Sequence, residues 1–233
     1  MQQKVFLTYN LPLVEFQEAS QLQKRLVQAR IAGRIPDVLL LLEHPPVLTI
    51  GRSGTIKDII APMEILAQEG ISISHTDRGG GVTYHGPGQL VGYPILSLKE
   101  HRLSVSQYVW NLEAAIIKLL LDLSIYAQRV PKYPGVWVGE EKVCAIGLYI
   151  THYVTRHGFA LNVNTNLRCF SYINPCGITD KAVTSISKLL GYEITVDEIK
   201  QPLVQAFSQV FKFKPEQGDR IDKCLITSGS LNG

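Results

Sequence analysis

Cys176, in "INPCGITD", sits between a proline and a glycine and outside any periodic apolar run. A thiol on such a stiff loop suits a covalent acyl carrier, because thiolate attack on a carbonyl needs an exposed, oriented sulfur. A free cysteine is otherwise a small buried hydrophobe. Cys144 and Cys169, inside strand-like or apolar stretches, fit that description; for Cys176 both readings stay open. An unperturbed thiol, with a pKa of roughly 8.5, is mostly protonated at neutral pH, so a nucleophilic cysteine needs a cation or a base nearby. His85, His157 and Lys142 are the candidates. Each also has a plain structural reading: His85 as an anchor of its loop, His157 as a turn residue, and Lys142 as an exposed residue at the head of an apolar strand.

The second feature is "RGGGVTYHGPGQL", Arg78 to Leu90, with five glycines and a proline around one Tyr-His pair. Glycine reaches φ > 0 and lets two backbones or a ligand approach closely. A strand-connecting turn needs one or two such residues, so this density points to ligand or acyl binding. The spacing is neither GxxxxGK[ST] nor GxGxxG followed by a helix, which disfavours nucleotide-phosphate binding of those two kinds.

The elements that must position these residues follow from periodicity. Leu13 to Gly33 brings Leu13, Phe16, Leu22, Leu26 and Ile31 to one side at helical spacing. "DVLLLLEHPPVLTIGR" reads as two strands separated at Pro45-Pro46, and "ISISHTD" and "LVGYPILSL" as strands on either side of the glycine-rich loop. Val105 to Ile125 is a long helix, with Ser104 and Gln107 forming a capping box. Gly135 to Asn164 reads as a three-run meander, broken by Gly-Glu-Glu and by a polar turn near Thr155 to Gly158. Thr195-x-x-Glu198 opens a last helix over about 195–213, ahead of a polar tail at 215–233. Neither a repeat nor a linker interrupts the chain, so residues 1–233 form a single α/β domain of the α+β type, with a central mixed sheet flanked by helices.

Composition excludes several classes. The 23 Lys and Arg against 20 Asp and Glu leave a net charge of only +3, too little for affinity resting on many phosphates, so no nucleic-acid partner is expected. A mean hydropathy of +0.09, and apolar runs far below the roughly 20 residues needed to span a bilayer, predict a soluble chain without membrane attachment. The N-terminus lacks signal-peptide features. Four cysteines without CxxC spacing fit free thiols in a reducing compartment.

Taken together and in order, "EHPPVLTIGR", "RGGGVTYHGPGQLVGYPI", "GVWV", "EKVCAIG", "HGFALNV" and "INPCGI…VTSI" resemble the octanoyltransferase family of lipoate biosynthesis, also called lipoate-protein ligase B. The resemblance spans about 43–187. It implies a fold like that of biotin and lipoate ligases, and transfer of an octanoyl or lipoyl group from acyl carrier protein to a specific lysine. The implied acceptors are the lipoyl domains of 2-oxo acid dehydrogenases and the glycine cleavage H protein. It further implies Cys176 as acyl-thioester nucleophile and Lys142 as its catalytic partner. Substrate binding is implied at Arg78, Gly79, Gly80, Gly81, Val82, Thr83, Tyr84 and His85, at Ala145, Ile146 and Gly147, and at Gly158, Phe159 and Ala160. Tyr84 and His85 would be the polar anchors of an otherwise apolar tunnel. No cofactor, metal or nucleotide is implied, and the expected compartment is the bacterial cytosol. Cys144 departs from the family's usual small residue and reads as a packing substitution. Two alternatives remain: an ATP-dependent lipoate or biotin ligase on the same fold, indifferent to loss of Cys176, and a non-catalytic protein that binds an acyl carrier.

Overall fold

Every residue of "DVLLLL" in strand β2 (Asp37–Glu43) is buried, because both faces of the strand are covered. Leu39 and Leu41 join one core, while Val38, Leu40 and Leu42 join another on the opposite face. A continuous apolar run instead of an alternating one is what a strand inside a covered sheet requires. The structure, a computed structural model, describes residues 4–174, 182–218 and 221.

The large sheet has eight strands. Besides β2 they are β1 (Lys4–Leu13), β6 (Gln89–Ile95), β7 (Gln128–Val130), β8 (Tyr133–Val138), β9 (Glu141–Thr151), β10 (Val154–Asn162) and β11 (Phe213–Gln217), in the order β11-β1-β2-β6-β10-β9-β8-β7. The β11–β1 and β1–β2 pairs are parallel and the remaining pairs antiparallel, so the sheet is mixed. A second sheet of three short strands, β3 (Val47–Ile50), β4 (Ser72–His75) and β5 (Val82–His85), runs β4-β3-β5. Pro45-Pro46 therefore separates strands of different sheets.

Helix α1 (Phe16–Ile31) covers one face of the large sheet through Ala19, Leu22, Leu26 and Val27. The short helices α2 (Met63–Gln68), α3 (Leu98–His101) and α5 (Ile186–Leu190) lie along the connections. The other face lies under α4 (Val105–Asp122) and α6 (Val196–Phe211), both opened by the expected capping boxes: Ser104 with Gln107, and Thr195 with Glu198. Among the described residues no helix is long and apolar enough to cross a membrane.

Three local expectations are corrected. The glycine-rich stretch is not all loop, since Val82 to His85 pairs with β3 as a strand. Thr155 to Gly158 lies inside β10; the turn is at His152-Tyr153, both with positive φ. The polar look of that stretch misleads because Arg156 and His157 are buried against Asp77. The tail begins as β11, whose alignment with β1 is a pairing of distant residues that local polarity does not reveal.

Candidate active site

Between the large and the small sheet lies a cavity of about 640 Å³. β9 and β10 supply its barest part, where cross-strand partners are Gly147 with Gly158 and Ala145 with Ala160. Over this patch the chain before β5 is held by backbone contacts. The Gly79 N–H donates to Leu148 O at 2.8 Å, and the Gly51 and Ser53 N–H groups donate to Gly81 O and Gly80 O at 3.1 and 3.2 Å. A Cβ at Gly51 would stand 2.3 Å from Gly80 O, so "GRSG" and "GGG" can nest only without side chains. Gly80 itself is required by its backbone, with φ +89°.

Arg78 is buried beneath this nest. Its Nη2 donates to Thr49 O at 2.7 Å and to Thr49 Oγ1 at 2.8 Å. All the expected substrate positions line the cavity except Tyr84. Its ring turns into the core of the small sheet against Phe170 and Cys169, and burial raises its hydroxyl pKa. Of the two expected polar anchors, only His85 lines the cavity. Phe159 borders the cavity while packing into the core under α4 and α6, its ring over Gly92.

His85 has a fixed tautomer. Gln89 Nε2 donates to Asn162 Oδ1 (2.9 Å) and Tyr84 O (3.2 Å), which leaves Gln89 Oε1 to accept from His85 Nδ1–H at 2.7 Å. Burial, together with nearby His44 and Arg78, holds His85 well below an ordinary imidazole pKa. His157 lies 2.9 Å from Asp77 through Nε2, yet burial, with Arg156 and Arg78 near, pushes it down to about 3. Both imidazoles are neutral at physiological pH. Neither histidine is therefore a cation beside a thiol, and of the three candidates for a cation or a base Lys142 is left for the first role.

Lys142 reaches the cavity because of a bulge. On β8, Val136 and Trp137 are consecutive; their partners on β9 are Cys144 and Lys142, so Val143 is the extra residue. Val143 and Cys144 both enter the core, and Lys142 is turned to the cavity beside Ala145. Re-aiming a side chain next to a site is a common use of a bulge. Cys144 is fully buried and its thiol pKa is pushed up by that burial, in keeping with a packing role.

Cys176 lies outside the described residues. The chain on either side of it is held at the cavity: Ile173 bridges Ile59, the Asn174 N–H donates to Asp58 O (2.7 Å), and Ala182 O accepts from the Lys142 N–H (2.9 Å). The Thr184 N–H returns to Lys142 O (3.0 Å), and Ile173, Ala182 and Val183 line the cavity. Site residues not singled out from the sequence are Gln89, Tyr93, Trp137 and Asn162. Their signal was polar or aromatic residues inside otherwise apolar buried strands.

A lipoyl protein ligase A/B catalytic-domain model matches residues 15–208. The chain belongs to that family. Within the lipoyl protein ligase A/B family its similarity is to octanoyltransferases. That of Caldicellulosiruptor saccharolyticus is 48% identical over 206 residues, covering 88% of each chain. That of Desulforamulus reducens is 45% identical over 204 residues, covering 87% of this chain and 90% of the relative. Among solved structures, a bipartite lipoate protein ligase from Thermoplasma acidophilum superposes with a TM-score of 0.73 at 17% identity, over 97% of this chain and 91% of that one. Biotin protein ligase from Aquifex aeolicus, in complex with biotin and ATP, gives 0.53 at 17% identity over 88% and 70%. These likenesses bear on the fold, which is the expected mixed α/β fold of lipoate and biotin ligases.

Proposed function

We propose that the protein is an octanoyltransferase that takes an octanoyl group from the thioester of acyl carrier protein and delivers it to one lysine of a lipoyl domain, through a thioester on Cys176. The acceptors would be the lipoyl domains of 2-oxo acid dehydrogenases and the glycine cleavage H protein. The observation that carries this reading is the position of Lys142, which lines the cavity and whose backbone bonds the chain just after the Cys176 segment there.

In the first half-reaction Cys176 Sγ, as thiolate beside the Lys142 ammonium, attacks the donor carbonyl. The tetrahedral adduct collapses, the carrier sulfur leaves, and it takes a proton from Lys142. In the second, the acceptor amine attacks the Cys176 thioester, neutral Lys142 receives the amine proton, and the Cys176 thiolate is released. Thioester exchange is nearly balanced and amide formation runs downhill, so no nucleotide enters. The Gly147–Gly158 and Ala145–Ala160 patch leaves room for an apolar chain. His85, with Nδ1–H committed to Gln89, presents a lone pair at Nε2 and so is no donor to the carbonyl oxygen.

The test is intact-mass measurement after incubation with octanoyl-acyl carrier protein without ATP. One added octanoyl group is expected, lost in Cys176→Ala and kept in Cys144→Ala. Octanoylation that demands ATP and survives Cys176→Ala would identify an ATP-dependent ligase; carrier binding with no mass change would identify a binding protein.

A further inference from the structure

Lys142 and Trp137 are cross-strand partners at the bulge, and the Lys142 ammonium stands 4.7 Å from the centroid of the Trp137 ring. The indole is 1% exposed yet lines the cavity. Its N–H donates to Tyr133 O at 3.2 Å, and the Tyr133 ring meets it edge-on at 6.4 Å. The strand beneath is held from behind by a buried carboxylate on α4. Glu113 Oε1 accepts from the Gly135 N–H at 3.0 Å, while Oε2 lies 3.0 Å from Arg129 Nε. Gly135, with φ +131°, admits no side chain: a Cβ would stand 2.5 Å from Cys144 O and 3.5 Å from Lys142 Cε. The stem of Lys142 thus runs across Gly135 and its head rests over Trp137.

We propose that Trp137 is a positioning residue for acyl transfer, holding the Lys142 ammonium over its indole face on a shelf that Glu113 anchors through Gly135. The proposal rests on Lys142 acting in that transfer. A lysine head on a four-carbon stem is flexible, and its field at a thiolate depends on where it is held. An indole is the strongest aromatic partner for a cation, and it stabilises the ammonium without bringing a full negative charge that would compete with the thiolate for it. The adjacent carboxylate, Glu141, is engaged by Lys188 at 2.7 Å.

The experiment compares Trp137→Leu, which keeps an apolar filling without a π face, with Trp137→Phe, which restores a smaller one. In the full-length protein, single-turnover transfer from octanoyl-acyl carrier protein should fall about tenfold in the leucine variant, with carrier KM within about twofold, and phenylalanine should recover most of the rate. NMR reads the contact directly. The Lys142 ε-methylene resonances should be shifted upfield by the indole ring current in the parent and return toward ordinary positions in Trp137→Leu. Equal rates for the parent and leucine proteins, equal losses in both variants, or unmoved Lys142 resonances would overturn the proposal. Should Trp137→Leu fail to fold, Trp137→Phe decides: a reduced upfield shift with a rate lowered about two- to threefold supports it, and unchanged values overturn it. Failure of the transfer reading itself is distinct, since Lys142→Ala would then keep the full rate while the ring-current shift still reports the contact.

Discussion

The two faces of β9 obey different rules. On one, Val143 and Cys144 pack with Leu161 of β10 into the core under α4 and α6, and Ile146, Leu148 and Phe159 pack there too while also bordering the cavity. On the other, Lys142, Ala145 and Gly147 meet a cavity and the glycine nest, and the positions are small or charged. The bulge at Val143 is where one rule gives way to the other. The core face does the work of stability. The cavity face forgoes packing so that a ligand can supply it. Substitutions on the two faces should therefore separate stability from activity.

The largest effect is expected at Lys142. Lys142→Ala should slow both half-reactions by about 10²- to 10⁴-fold, the range of a lost acid-base group, with little change in melting temperature. Lys142→Arg should separate its roles, since arginine keeps the charge but neither gives up nor receives a proton. Octanoate should still be trapped on Cys176, the carrier sulfur leaving as a thiolate that takes its proton from water, and be handed on poorly because the acceptor amine has lost its base. Single-turnover rates for the two half-reactions check this, and wild-type rates in both variants would make the lysine scaffolding.

Leu161→Ala, a fully buried position on the core face, should cost about 2–5 kcal/mol in denaturant unfolding while the folded fraction keeps its turnover. Ala145→Leu should do the reverse. Filling the cavity should lower octanoyl transfer about tenfold or more and spare a shorter acyl donor, with stability altered by about 1 kcal/mol or less. If Ala145→Leu unfolded the protein and left the folded fraction fully active, the division between the faces would be wrong.

The smallest effect is acidic. His44 is held to about 4 by burial, which outweighs its bond to Val14 O, and His157 to about 3. Both lie below the unfolded value of about 6.5, so the unfolded chain binds more protons in between. Stability is complete above that value and is lost as pH falls toward the folded values. Between pH 6.5 and 5.5 each histidine should remove about 1 kcal/mol, measurable by chemical denaturation at the two pH values. His44→Gln should flatten that slope.

Much of this was legible beforehand. The ordered motifs identified the family, and the capping boxes at Ser104 and Thr195 placed α4 and α6, because a cap is a contact between residues three apart. The apolar run of β2 was a strand whichever sheet received it. The small sheet was not legible, since β3 pairs with β4 and β5 across intervening segments and no local pattern records that choice. Nor was the inward turn of Tyr84, whose alternation with His85 says only that one of the two faces the cavity.

The sequence by itself determined which residue types are present at motif spacing: a cysteine between proline and glycine, a lysine heading an apolar strand, and glycines where backbones must meet. Only the tertiary structure decided that His85 and His157 are not cations at neutral pH. That depends on burial and on charges brought in from elsewhere, as Asp77, Arg156 and Arg78 are around His157, and Gln89 and His44 around His85. It also decided that Lys142 faces the cavity and Cys144 the core. Alternation would put residues two apart on the same side, and the bulge that separates them is a property of how β8 and β9 pair.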